Sequence, residues 1–380
     1  MNKIFLWAPC LDKVGTYQAL INSAISFKRY SKELFLVYII NVCGEWDHKK
    51  EFFKKRNIKV IDLSFSYFRF LPKIGFLGSR FSYLLIFLIS VFPLIKLLIR
   101  QKPNYFIGYL ITSLPLILIN CLNLDLKFVL RISGFPRLGF IRKNLWKFFS
   151  KKIYKITCPS IDLKNQLIDL KFFDPKKIFF LPDPVINIEK FIDQIKEEKI
   201  GNLKTKKKFF IAVGRLTKQK NFIYLINEFS EFSNKNLDYD LLIFGEGEER
   251  RNLENQINRL NLNKRIFLMG FQENVYAYMK KAEALILSSL WEDPGFVIIE
   301  ASLCNLFVIS SNCKNGPSEF LDNGKGGILF ENNKINDLKD SLEKFCLLDD
   351  KKKIILISKK NSRKYTLFSH FNYFKKILLN

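Results

Sequence analysis

The sequence predicts two doubly wound, Rossmann-like α/β domains facing a central cleft. Three observations lead there. Thirteen short runs rich in β-branched and aromatic residues alternate with longer helix-periodic segments, a pattern that argues for parallel sheets covered by helices. The run Leu181-Pro182-Asp183-Pro184-Val185 interrupts that alternation, because two prolines around an aspartate continue neither a helix nor a central strand. A chain of 380 residues exceeds one ordinary core and suits two of similar size.

In the first half the strands fall at 3–7, 34–40, 58–61, 105–109, 127–131, 154–158 and 177–181, with helices notably at 14–30, 81–100, 141–151 and 160–170. After the linker comes a charged stretch, 186–208. A second series then places strands at 208–213, 240–244, 265–269, 284–288, 306–310 and 327–330. The expected domains are 1–184 and 185–362, with a last segment, 363–380. Ligands of such sheets bind beyond the carboxyl ends of the strands, so the cleft is the expected site. The uncharged segment 81–95 is apolar enough to suggest a membrane span, but Pro93 and Lys96 are expected to cut it short of the roughly 20 residues a span needs. A buried helix and a helix lying in the membrane plane both fit it.

Hydrophobic residues make up 48% and charged residues 26%, which is globular usage. The net charge of +26 calls for an acidic partner or reflects a codon bias toward Lys, Asn, Ile and Phe. The seven cysteines form no CxxC pair, and the chain has two histidines, His48 and His370. That pattern points to reduced, buried thiols rather than a disulfide framework or a zinc site. The start, 1–9, is too short an apolar stretch for a signal peptide.

Two motifs carry chemistry. In the first, strand 208–213 runs into Gly214, with Arg215 and Lys220 close behind. A guanidinium fork and an ammonium at a strand's carboxyl end suit a diphosphate, although a basic chain has many basic loops. In the second, Glu292 and Glu300 stand eight apart around Pro294-Gly295, after strand 284–288 and across a helix start. Gly295 admits close backbone approach, and a helix N-terminus directs N–H groups at an anion. Glu300 lies one to two turns into an otherwise apolar helix, a costly place for a carboxylate unless it accepts hydrogen bonds, for example from ribose hydroxyls. A pair of helix-capping carboxylates is the plain alternative.

These residues resemble glycosyltransferase family 4. The resemblance rests on Val213-Gly214-Arg215-Leu216 with Lys220-Asn221, Phe244-Gly245-Glu246-Gly247-Glu248, Met269-Gly270-Phe271, the Glu292 to Glu300 spacing, and Gly316-Pro317-Ser318-Glu319. It covers 208–330, and it implies a GT-B fold whose last helix, 363–380, crosses back onto the first domain. It further implies that Arg215 and Lys220 bind the donor diphosphate and that Glu292 holds the sugar hydroxyls. Gly295, Phe296 and Val297 would present backbone to sugar and phosphate, and Glu300 would bind the ribose. Gly245, Glu246, Asn274 and Val275 would flank the nucleoside. Gly214 would lie against the donor phosphates, as would Gly15, although the family commonly has two adjacent glycines where this chain has Val14-Gly15-Thr16.

The family's histidine after a mid-domain strand is missing from 130–136. Arg131 is either a substitute for charge stabilisation or a core-edge arginine. The resemblance implies retention by front-side attack, with the cations and the helix terminus stabilising the leaving diphosphate and no metal required. Bases interleave with aromatics over 137–155, the pattern of an in-plane membrane helix or of a helix packed on its own sheet. Together with 81–100, this favours a lipid-linked or lipopolysaccharide acceptor, an anionic membrane partner, and a peripheral place on the cytoplasmic face. The run Cys313-Lys314-Asn315-Gly316-Pro317-Ser318-Glu319 resembles bacterial transferases that use UDP-hexoses or UDP-N-acetylhexosamines, which implies a hexose or N-acetylhexosamine from a UDP-linked donor and leaves GDP-mannose open. Two other classes stand against this reading: a catalytically idle partner subunit, and a basic nucleic-acid-binding protein for which no motif appears.

Overall fold

The computed structural model describes residues 1–11, 15–72, 76–136, 139–196 and 203–380. The chain forms two compact units, one of Met1–Val185 with Leu367–Asn380, the other of Ile186–Thr366.

The first unit holds seven parallel strands: β1 (Asn2–Trp7), β2 (Phe35–Asn41), β3 (Lys59–Asp62), β4 (Tyr105–Gly108), β5 (Lys127–Arg131), β6 (Lys155–Cys158) and β7 (Ile178–Phe180). Their order is β3-β2-β1-β4-β5-β6-β7, so the winding reverses between β1 and β4. Both faces of β1 are buried: Phe5 and Trp7 enter one core with Phe106 and Leu130, and Ile4 and Leu6 enter the other with Ile39 and Ile107. Helices cover both faces, which is why these strands read as almost continuous apolar runs.

Helix Phe76–Gln101 runs straight through Pro93 and corrects the expectation of a short apolar stretch. Pro93 removes one backbone donor, yet Ile86, Leu94 and Leu98 on either side lock the helix into the core. By length and composition it could cross a membrane, though one face is packed. The basic-aromatic stretch forms helix Phe140–Phe149 and a 3₁₀ turn, Ser150–Lys152, while 137–138 lie outside the described residues. Helix Lys351–Ser362 and the turn Arg363–Tyr365 stay in the second unit. The terminal helix therefore begins at Leu367, not 363. It packs on helix Gly15–Tyr30, where Phe27 meets Phe371 and Phe374 at ring distances of 5.9 and 5.2 Å.

Arg131 is fully occupied structurally. It is buried, donates to Leu181 O at 3.0 Å and pairs with Asp183 Oδ1 at 2.5 Å. It thus neutralises a buried carboxylate in the proline linker and does not stand in for the missing histidine. His370, also buried, meets Pro182 O at 2.7 Å and Ser23 Oγ at 3.0 Å. Burial pushes its pKa down to about 3, so it stays neutral. Five of the cysteines are buried and all seven are free thiols, but Cys121 is exposed and Cys346 half-buried, contrary to the expectation.

The second unit holds β8 (Lys208–Val213), β9 (Tyr239–Phe244), β10 (Ile266–Gly270), β11 (Ala284–Leu287), β12 (Phe307–Ser311) and β13 (Ile328–Phe330). These are parallel in the order β10-β9-β8-β11-β12-β13, with the reversal between β8 and β11. Phe210, Ala212, Leu241, Ile243, Ile286 and Ile309 build its core.

Candidate functional site

The two motif loops leave β8 and β11, the strands on either side of the second unit's switch point, where doubly wound sheets bind ligands. Backbone contacts staple them together. Leu290 N donates to Gln219 O at 2.8 Å, and the Ser288 hydroxyl donates to Lys220 O at 2.7 Å. The Gln219 amide donates to Trp291 O at 2.9 Å.

Side chains converge across this seam. Lys220 Nζ and the Ser289 hydroxyl each donate to Glu292 Oε1 at 2.5 Å. Glu292 is 6% exposed, so its charge is balanced by this ammonium rather than by water. The Lys220 stem lies over Gly214, where a Cβ would meet Lys220 Cε at 2.9 Å. An ammonium has three donors, so pairing with Glu292 leaves capacity for a ligand oxygen. Arg215 is exposed and makes no ion pair among the described residues. A guanidinium fork is thereby left to an outside acceptor.

Glycines bring the neighbouring loop close. Gly245 has φ +140°, and a Cβ there would fall 1.9 Å from Gly214 O. Leu216 N donates to Glu246 O, and Gly245 N to Gly270 O, each at 2.9 Å. The carboxyl ends of β8, β9 and β10 thus form one continuous backbone rim. Glu246 points its carboxylate at Arg250 Nη1, 2.6 Å away on an exposed surface.

Helix Phe296–Leu303 starts at Gly295, whose φ is +86°, and no side chain caps it. The amides of Phe296 and Val297 are therefore open to an anion, reinforced by the helix dipole. Glu300 lies in the second turn and accepts from the Tyr276 hydroxyl at 3.4 Å. Burial pushes its carboxyl up to about 7, against the Tyr276 hydrogen bond and the charge of Lys190. A carboxylate held half-protonated near neutrality is primed to gain from new donors. Burial and the nearby Glu300 in turn raise the Tyr276 hydroxyl.

Asn274 and Val275 precede the short helix Tyr276–Met279. The Asn274 amide donates to Gln194 O at 2.6 Å, so this side chain ties down helix Ile188–Lys196 instead of standing free. Gly15 opens helix Gly15–Tyr30 after β1 in the first unit, and Val14 beside it lies outside the described residues. All the other expected site residues belong to the second unit, on the loops that follow its strands or, for Phe296, Val297 and Glu300, on helix Phe296–Leu303.

Sequence reasoning missed Ser289, Tyr276 and the supporting role of Gly316. A Cβ at Gly316 would fall 2.3 Å from Pro294 O, so the 315–317 turn backs the loop that carries Glu292. Only its Gly-Pro spelling hinted at this. Nothing in the spacing marks Ser289 or Tyr276 as partners of the two glutamates.

Residues 193–363 match the family model described as glycosyl transferases group 1. The chain is 32% identical over 244 residues to an Escherichia coli UDP-Gal:alpha-D-GlcNAc-diphosphoundecaprenol alpha-1,3-galactosyltransferase, covering 62% of this chain and 61% of that protein. It is 30% identical over 224 residues to a Campylobacter jejuni protein, N-acetylgalactosamine-N,N'-diacetylbacillosaminyl-diphospho-undecaprenol 4-alpha-N-acetylgalactosaminyltransferase, covering 57% and 59%. The chain thus spans about three fifths of the length of these curated relatives. Among solved structures, Anabaena HepE in complex with UDP superposes with a TM-score of 0.75 at 14% identity, covering 99% of each chain.

Proposed function

We propose that this chain, which has the GT-B fold and matches the group 1 glycosyl transferases over 193–363, is a retaining glycosyltransferase of family 4 type. It moves a hexose or N-acetylhexosamine from a UDP-linked donor to a lipid-linked saccharide at the cytoplasmic face of a membrane. The observation that carries this reading is the constellation at the second unit's switch point. There the loops that follow β8 and β11 carry Arg215, Lys220 and the uncapped helix terminus at Gly295.

In the proposed reaction the donor diphosphate takes the Arg215 fork, a free Lys220 donor, and the amides of Phe296 and Val297. Glu292 accepts from the sugar hydroxyls while keeping Lys220 in place. Glu300 accepts from the ribose, which lets its raised carboxyl ionise. The bond from the anomeric carbon to the phosphate oxygen breaks as the acceptor oxygen attacks on the same face, and the departing oxygen takes the acceptor proton. The protein's part is electrostatic, with fixed donors aimed where charge develops. The UDP-galactose donor and the undecaprenol-linked acceptors for which these relatives are named, and the UDP bound by HepE, support this donor and acceptor class.

Calorimetric titration with UDP, GDP and ADP tests the donor half. Micromolar or tighter binding of UDP alone, lost in Lys220→Met, is expected. Equal affinity for all three, or none, would overturn it.

A further inference from the structure

The first unit leaves one long face without an internal partner. Along helix Phe76–Gln101, Ser82, Ile86, Ser90, Leu94 and Leu98 are buried at every fourth position. Between them Phe81, Leu84, Leu88 and Phe92 are 57–80% exposed, and Ile99 follows at 49%. At about 1.5 Å per residue this stripe is about 27 Å long. Exposed apolar side chains are ordinary when scattered, whereas a continuous line of them marks an interface.

The charges around the stripe say what covers it. No charged residue interrupts 81–95, and the exposed cations stand at its ends, Arg80 before it and Lys96 and Arg100 after it. Lys96 and Arg100 also border a cavity of about 540 Å³ floored by Leu63, Phe92, Pro93 and Leu97. Its one acid, Asp62, already pairs with Lys50 at 2.8 Å. A second element repeats the pattern in the same helical layer. Helix Phe140–Phe149, joined to this one through helix Ser113–Cys121, exposes Phe140, Ile141 and Phe148 among Arg142, Lys143 and Lys147.

We propose that this face docks in the plane of an anionic phospholipid bilayer, with the stripe in the acyl boundary and Lys96 and Arg100 on headgroup phosphates. The packed inner face keeps the helix from being surrounded by lipid. A second copy is a poor occupant, since it would bring two cationic rims together in a chain of net charge +26. The inference stands apart from the reading of the glycosyl-transfer site.

The test is co-sedimentation of the full chain with phosphatidylcholine vesicles, alone or mixed with phosphatidylglycerol. The parent should bind the mixed vesicles, more weakly as salt rises, and leave the neutral ones. Phe81→Gln with Leu84→Gln, Leu88→Gln and Phe92→Gln should lower binding by about tenfold or more, as should Lys96→Glu with Arg100→Glu. Lys352→Glu with Lys353→Glu, on the second unit, should leave it within about twofold. All of these side chains are exposed, and unchanged thermal melting reports intact folding. Equal binding to neutral vesicles, or undiminished binding by the stripe variant, would overturn the proposal. So would a control variant that loses as much as Lys96→Glu with Arg100→Glu.

Discussion

Replacing Glu300 with glutamine should strengthen the fold at alkaline pH while weakening nucleotide binding. In the folded chain burial pushes this carboxyl up to about 7, whereas an unfolded glutamate titrates near ~4.3. Between those values the folded chain holds a proton that the unfolded chain has released. Stability therefore falls as pH rises through this window, and the loss is complete above about pH 7. At about 1.36 kcal/mol per pH unit the displacement is worth at most 3–4 kcal/mol, and residual exposure of Glu300 brings the expected figure to about 2–3 kcal/mol. The amide has no such cost. In urea titrations the variant should exceed the parent by little at pH 5 and by about 2–3 kcal/mol at pH 8. Glu45, whose carboxyl burial also pushes up to about 7, titrates in both proteins and cancels in the difference. Calorimetry with UDP should show parent affinity weakening below about pH 7, and a variant about tenfold weaker whose affinity does not follow pH. A stability gap that ignores pH, or a variant binding UDP as tightly as the parent at pH 8, would refute the reasoning.

Four further substitutions probe the same architecture. Gly245→Ala forces a Cβ to within 1.9 Å of Gly214 O at φ +140°, and should cost at least about 3 kcal/mol in thermal unfolding and abolish UDP binding. Arg215→Ala should lower kcat about 100-fold or more with an unchanged Tm, since Arg215 is exposed and unpaired among the described residues. Lys220→Met should lose comparable activity and also about 2–4 kcal/mol of stability, because Glu292 is left without its cation. Arg131→Met leaves Asp183 buried and unpaired. It should cost about 3–5 kcal/mol in urea, with kcat of the folded fraction retained.

Much of the fold was legible because parallel strands buried on both faces spell themselves as apolar runs. The stretch Ile4-Phe5-Leu6-Trp7 and the stretch Phe209-Phe210-Ile211-Ala212 could hardly be anything else. The second unit's loops were legible for a different reason. Lysine and glutamate beside a strand end are costly to bury unpaired, and glycine there admits close backbone approach. What escaped was long-range. Pro93 reads locally as a stop, but Leu94 and Leu98 hold the helix against the core. Arg131 reads either as a charge stabiliser or as a core-edge arginine, and its partner Asp183, which decides between them, lies 52 residues on. Ser289 and Tyr276 reach Glu292 and Glu300 only after the strands are laid side by side.

Nucleotide release tests the central claim most directly. Purified chain is given UDP-galactose, UDP-N-acetylgalactosamine, UDP-glucose or GDP-mannose with an undecaprenyl-diphosphate-linked saccharide, and the product's anomeric configuration is read by NMR. The account predicts UDP release that requires the lipid-linked acceptor, falls about 100-fold in Arg215→Ala, and yields a product with the donor's configuration. Turnover by no donor, or equal turnover in Arg215→Ala, would contradict it and leave the switch-point loops as a binding surface without chemistry.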